Sequence, residues 1–233
     1  MTLSPEKATL AATVHDRLRD ELLRGDLPPG SKVHISETAT RYGVSPSVLR
    51  EALTRLAERG LVVAMPQRGF TVADLSVDAL LDLTRARTLI EAMALRESIA
   101  DGDLNWETDV LGGHHRLQRT PLTDADGIIN PQWSVAHRQF HHALLAGGTS
   151  TRLTAIADGL RDCSDLYIHW SRALAHDDHR DAAAEHQQIA DLALARDADG
   201  AAAALVAHIE RTTEALVGYA NSASKLGEGS DRE

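Results

Sequence analysis

Apolar residues recur every fourth position at Leu10, Val14, Leu18 and Leu22, with Arg17, Arg19 and Arg24 beside them. That spacing predicts an amphipathic helix. Gly25 ends it, and LPPG at 27–30 is turn chemistry, since proline fixes φ and glycine accepts conformations that other residues resist. A second, short helix is expected from Ser36 as N-cap to Tyr42 and Gly43. A third follows at once. Ser45 can cap it, and Pro46 suits its first position, where a missing N–H would be unpaired anyway. Leu49, Ala52, Leu53 and Leu56 form its inward stripe, leaving Ser47, Arg50, Glu51, Thr54 and Arg55 outward. LVVAM and GFTVA then read as two strands around PQR, a hairpin with Arg68 and Gly69 at its tip.

Beyond a short polar joint at 74–76 the period stays helical. Leu80, Leu83, Ala86, Leu89, Ile90 and Met93 mark the apolar face of a long helix reaching about residue 100. Gly112, Gly113, Pro121 and Pro131 break residues 101–130 into one short helix plus loops. Four longer helical patterns follow at roughly 132–146, 150–175, 181–197 and 199–222. No alternating pattern interrupts them, so this part is expected to be an antiparallel all-α bundle. The predicted fold is therefore mainly α, with an N-terminal winged helix-turn-helix at 1–75, a helical bundle at 77–224, and a disordered tail, KLGEGSDRE, at 225–233. Periodicity alone leaves a small helical protein-interaction domain as an equal reading of the first part.

Charge separates the two parts. The chain carries a net charge of -10, which taken whole argues against a nucleic-acid partner. Residues 1–75, however, hold ten Lys/Arg against nine Asp/Glu, a net +1, so the remainder carries -11. Duplex DNA stays open to the first part. Eight aromatic residues are too few and too scattered for a single-strand stacking platform. Cys163, the one cysteine, has no intramolecular partner, and no basic-plus-apolar leader opens the chain. A cytoplasmic protein with no membrane partner is expected, as no apolar run nears the roughly 18 residues a span needs.

Twelve histidines, however, change the chemistry of the second part. His137 and His141, four apart, share a helix face that leads into Leu144 and Leu145, whereas His142 turns about 100° away. His186 lines up with Ile189, Ala190 and Ala193, and His208 with Leu205 and Thr212. Four imidazoles thus face inward from three helices. In their neutral forms they offer lone pairs suited to a divalent metal: zinc first, with nickel, iron or manganese also reasonable. Any one of them alone reads better as a core histidine bonded to a carbonyl; it is the inward i, i+4 pair plus two more that favours a metal, and periodicity does not say whether the helices bring the four together. His114 and His115 read as solvated loop residues after Gly113, and HDDH at 176–179 as a helix-end cap.

Two resemblances rest on these residues. LLRGDLPPGSKV, YGVSPSVLREALTRLAERGLV and PQRGFTV, about fifty contiguous residues, closely resemble the DNA-binding domain of the GntR family of bacterial transcription regulators. The likeness implies that Ser45, Ser47 and Arg50, with Arg68 and Gly69 of the wing, contact double-stranded operator DNA. Where many members carry an arginine after the VS pair, this chain has Pro46, so its operator is expected to depart from the common consensus. The second part is similar to the FadR-type branch, whose FCD effector domain is a helical bundle that often holds a metal. The signs are Arg87-x-x-x-Glu91, H-x-x-F-H at 137–141, EH at 185–186 and HI at 208–209. This implies His137, His141, His186 and His208 as ligands, with aspartate more usual at the position of His137.

The function expected from these features is a transcription repressor, not an enzyme. It binds a palindromic operator as a homodimer and is released by a small carboxylate effector beside the metal. Arg87 would give the carboxylate a forked contact, or else it forms a plain intrahelical pair with Glu91. Two other readings compete: a regulator whose effector is the ion itself, and a metal-dependent hydrolase with Glu185 or Glu91 as base. Against the hydrolase stand the winged domain and the lack of an HExxH motif.

Overall fold

The computed structural model describes residues 5–124, 129–170 and 180–230. The chain divides into two compact units, Met1–Ser76 and Val77–Glu233. The expected cap at 176–179 lies outside the described residues.

The first unit runs α1 (Pro5–Leu23), β1 (Lys32–Val33), α2 (Ile35–Tyr42), α3 (Pro46–Glu58), β2 (Val62–Met65) and β3 (Gly69–Val72). Its core joins Val14, Leu18 and Leu22 of α1 to Leu49, Leu53 and Leu56 of α3, all buried. Leu10 is exposed, and Ala11 completes the stripe instead, three residues before Val14. The hairpin is present, and β1 adds a third strand, giving the antiparallel order β1-β3-β2 with Val33 opposite Phe70. Two residues are too short to show an alternation, which is why the pattern missed β1. Pairing with β3 holds the chain extended through Val33, so the N-cap of α2 is His34 rather than Ser36, and His34 supplies no side-chain cap. At the other end Gly43, in the left-handed region at φ 66°, closes α2. Ser45 caps α3 through Val48 N–H, with Pro46 in the first turn.

The second unit is a bundle of α4 (Val77–Asp101), α5 (Leu104–Gln118), α6 (Pro131–Leu145), α7 (Thr151–Trp170), α8 (Ala182–Leu194) and α9 (Ala198–Ser230). Asp103, Asn130 and Asp181 cap α5, α6 and α8 by accepting from first-turn N–H groups. The core gathers Leu95, Val110, Phe140, Leu144, Ile189, Leu205 and Ile209. Two expectations fail here. α4 does not bury Leu89 and Met93, which are 65% and 58% exposed; it buries Leu80, Arg87, Glu91, Leu95 and Ser98. Its inward face is partly charged, so an apolar period points to the wrong side. α5 runs unbroken through Gly112 and Gly113. A Cβ on Gly113 would stand 3.1 Å from Phe140 Cα, so this glycine admits α6 at close range instead of breaking the helix. The helical backbone of α9 extends as far as Ser230.

Candidate metal centre and DNA-reading surface

His137 and His141 leave α6 one turn apart, His186 comes from α8 and His208 from α9, and all four are buried. Each can offer one nitrogen such that the four atoms lie within 4.8 Å of one another. His137 and His141 are 4.6 Å apart by ring centroids, as are His186 and His208. Phe140 packs against His141 and His186, and Trp133 stacks on His137 at 4.6 Å. Burial holds all four imidazoles below the ordinary histidine value, and the positive charge of neighbouring Arg161 or Arg180 adds to it. They are neutral near pH 7. Nε2 of His141 and Nε2 of His186 are buried with no hydrogen-bond partner, an arrangement that ordinarily costs about 1–3 kcal/mol per group. A divalent ion among the four nitrogens would remove that cost, and neutral imidazoles are the donor set that zinc and its neighbours take.

The orientation of His208 is fixed from behind. Glu185 Oε2 lies 2.8 Å from His208 Nδ1. An ionised carboxylate only accepts, so Nδ1 carries the proton and Nε2 keeps its lone pair for the cluster. Arg180 Nη2 donates to the same oxygen at 2.6 Å, and Arg211 Nε approaches the other at 2.8 Å. Burial pushes Glu185 upward, but the hydrogen bonds from His208 and Arg180 outweigh it and hold the carboxyl at about 2.

On α4, Arg87 donates to Glu91 at 2.6 Å and to Ser164 at 2.8 Å, while Arg161 Nη1 lies 3.3 Å from Glu91's other oxygen. The pair with Glu91 therefore exists, in the interior rather than on an exposed face. Asp165, beside them, is lifted by burial to about 6. Sequence reasoning missed this charged core and the Glu185 clasp, although the EH pair at 185–186 hinted at the latter. It also misplaced His114, which is helical and buried, whereas His115 is exposed. His142 is exposed and sits 2.9 Å from Asp158.

In the first unit, α3 turns Ser47, Arg50 and Thr54 to solvent. Ser45 and Ser47 hydroxyls are 2.9 Å apart, and Arg55 is tied to Glu51 at 2.6 Å, so Arg50 is the free cation of that face among the described residues. Arg68 is exposed at the hairpin tip beside Gly69, at φ 92°, and Gln67, at φ 59°.

This arrangement has known counterparts. Residues 10–72 match the bacterial regulatory proteins of the gntR family, and residues 82–211 match the FCD domain. The chain belongs to the GntR family. The family member is 36% identical over 211 residues to the uncharacterized HTH-type transcriptional regulator BphR of Paraburkholderia xenovorans, covering 87% of this chain and 83% of that one. It is 33% identical over 195 residues to the HTH-type transcriptional repressor GlaR of Escherichia coli, covering 82% and 89%. Its fold also matches the solved E. coli McbR/YncC, with TM-score 0.75 and 20% identity, over 93% of this chain and 99% of that one. This GntR-family chain is thus a transcription regulator with an N-terminal DNA-binding domain and a C-terminal FCD effector domain, not a hydrolase. Among its described residues no helix is long and apolar enough to cross a membrane.

Proposed function

We propose that the protein is a cytoplasmic, FadR-type repressor that binds an inverted-repeat operator as a homodimer and is released by a small carboxylate bound beside a metal. The observation that carries the effector half is the set of four buried, neutral imidazoles with two unpartnered Nε2 atoms. His137, His141, His186 and His208 would hold the ion, zinc by preference, and when bound the ion supplies a Lewis-acid anchor for a carboxylate oxygen. Arg87 is already engaged by Glu91 and Ser164. Its Nη2 makes no hydrogen bond among the described residues and is the atom left to meet an effector oxygen. On the DNA side, Ser47 and Arg50 would reach base edges, Ser45 would hold the helix start, and Arg68 and Gly69 would contact the groove beside it.

The test is operator binding with and without a series of small mono- and dicarboxylates, using a duplex selected from a random pool. Release by a carboxylate that requires the metal, and is lost in His141→Ala and His186→Ala, supports the reading. Release that follows metal removal or addition alone makes the ion the effector. A protein that carries no stoichiometric metal after expression in zinc-supplemented medium overturns the metal half.

A further inference from the structure

His137, His141, His186 and His208 are all buried, so an ion bound among them must pass through packed protein to arrive. The surroundings of the cluster are not electrically even. Where α4 and α7 approach it, Arg87 and Arg161 lie close enough for their positive charge to be felt at His137, and that of Arg161 at His141 as well. Two guanidiniums repel an approaching divalent cation. Elsewhere a pocket of about 270 Å³ opens between the end of α5, the start of α6 and the start of α8. His186 forms part of its wall, and so does Trp133, the ring stacked on His137. Arg180 lines it too, but Glu185 accepts from both its Nε and its Nη2, which offsets that charge. Asp181 stands on the same wall, and Asp191 is near enough to His114 to favour the charged form of that imidazole. A cation meets less repulsion here than beside α4 and α7.

One side chain of this pocket has no part in the hydrogen bonding of the fold. His114 of α5 is 8% exposed, lies tilted against Phe140 at 5.3 Å, and makes no hydrogen bond among the described residues. It is not one of the four imidazoles that converge, yet it shares the pocket wall with His186. Burial lowers it from the ordinary histidine value, which leaves a neutral ring with a lone pair to offer. A cation that sheds water in a confined space needs a replacement ligand at each step, because desolvating it without one is costly. We propose that this pocket is the route by which a divalent ion enters and leaves the four-histidine centre, with His114 as a transit ligand that takes the ion from water and passes it to His186. The inference rests on the reading of the cluster as a metal centre, and it adds a residue outside that cluster. His114 touches the ion in passage and not at rest. It therefore lowers a barrier that is crossed in both directions, so uptake and release change by the same factor and Kd does not change.

The test uses the full-length protein, stripped of metal and mixed rapidly with zinc, with a chromophoric chelator reporting the free ion. His114→Ala is expected to slow uptake and release alike by about tenfold, the effect of roughly 1.4 kcal/mol on a shared barrier. Its Kd, from equilibrium competition, stays at the wild-type value. His114→Asp again offers the ion a ligand atom and is expected to recover most of the lost rate. Ala183 is exposed on the pocket wall, and Ala183→Phe, which narrows the pocket without touching an imidazole, is expected to slow both rates at unchanged Kd. His115→Ala, at the exposed neighbouring position of α5, leaves both rates as they are. Unaltered rates in His114→Ala overturn the transit role, and unaltered rates in Ala183→Phe overturn the route. A weakened Kd in His114→Ala at an unaltered uptake rate overturns it as well, since His114 would then hold the resting ion. Wild-type protein that takes up no zinc overturns the metal centre itself and the route with it. Circular dichroism verifies that the variants fold.

Discussion

Glu185 shows how much one residue carries that its neighbours in sequence only hint at. Periodicity identifies four inward imidazoles because a helix repeats every 3.6 residues, and His137 and His141 at i and i+4 must share a face. What lies behind an imidazole has no period. Glu185 comes from α8, its partner His208 from α9, and Arg180 precedes α8, so the clasp exists only once the helices are packed. Replacing Glu185 by Gln keeps an acceptor but removes the charge that favours the Nδ1–H form of His208. Metal affinity, measured by competition with a chromophoric chelator, is expected to fall about 10- to 100-fold. His142→Ala, a change at the exposed partner of Asp158, leaves it unchanged. The same burial sets a pH dependence. His137, His141, His186 and His208 have folded values lowered from 6.5, so the unfolded chain takes up protons first as pH falls. Their contribution is full above 6.5 and is lost below it. Asp165, raised from 3.8 to about 6 by burial, and His142, raised by its bond to Asp158, work in the opposite sense, but the four buried imidazoles, joined by His114 that burial also lowers, outnumber them. Urea unfolding of the metal-free protein is therefore expected to show stability dropping as pH goes from about 7.5 to about 5.5; a flat profile would contradict the neutral, buried cluster.

Elements were legible where burial is apolar and obscure where it is not. α1 and α3 show their stripes plainly, because the inward positions are nearly all aliphatic. α4 does not: Arg87, Glu91 and Ser98 occupy its interior face, while Leu81, Leu89 and Met93 face outward. A hydrophobicity pattern then reports the phase of the wrong side. The glycines of α5 misled for a different reason, since one residue type serves both turns and close packing. The two can be separated by experiment. Gly112 has room for a Cβ, with nothing within 4 Å of where it would stand, whereas Gly113 faces the backbone of Phe140 at 3.1 Å. Gly112→Ala is expected to stabilise the protein by about 0.5–1 kcal/mol through lower unfolded-state freedom. Gly113→Ala is expected to destabilise it by about 1–3 kcal/mol, because α5 must move off α6. Denaturant midpoints of the two variants decide it, and equal shifts of the same sign would mean that α5 and α6 are not held at this distance.

For the whole molecule, charge and symmetry limit how the parts can be used. The first part carries +1 and the remainder -11, so repulsion from phosphate works against nonspecific attachment through the second, and affinity depends on a few uncommitted cations in the first. One unit of this size, with Arg50 and Arg68 as its proposed contacts around α3 and the wing, reaches few base pairs. Two copies held together double the contacts and impose a geometry. If the operator-bound form is a two-fold dimer, its two reading helices face the same side of the duplex, and the half-site centres lie one helical turn, about 10–10.5 base pairs, or a multiple of it apart. Adding about five base pairs between the half-sites of the selected operator rotates one of them to the far side of the duplex. Affinity is then expected to fall to that of a single half-site. A partial recovery at about ten added base pairs would show a dimer with reach to spare, while no loss at about five would show that each copy binds alone, and the effector would then have to act within one chain.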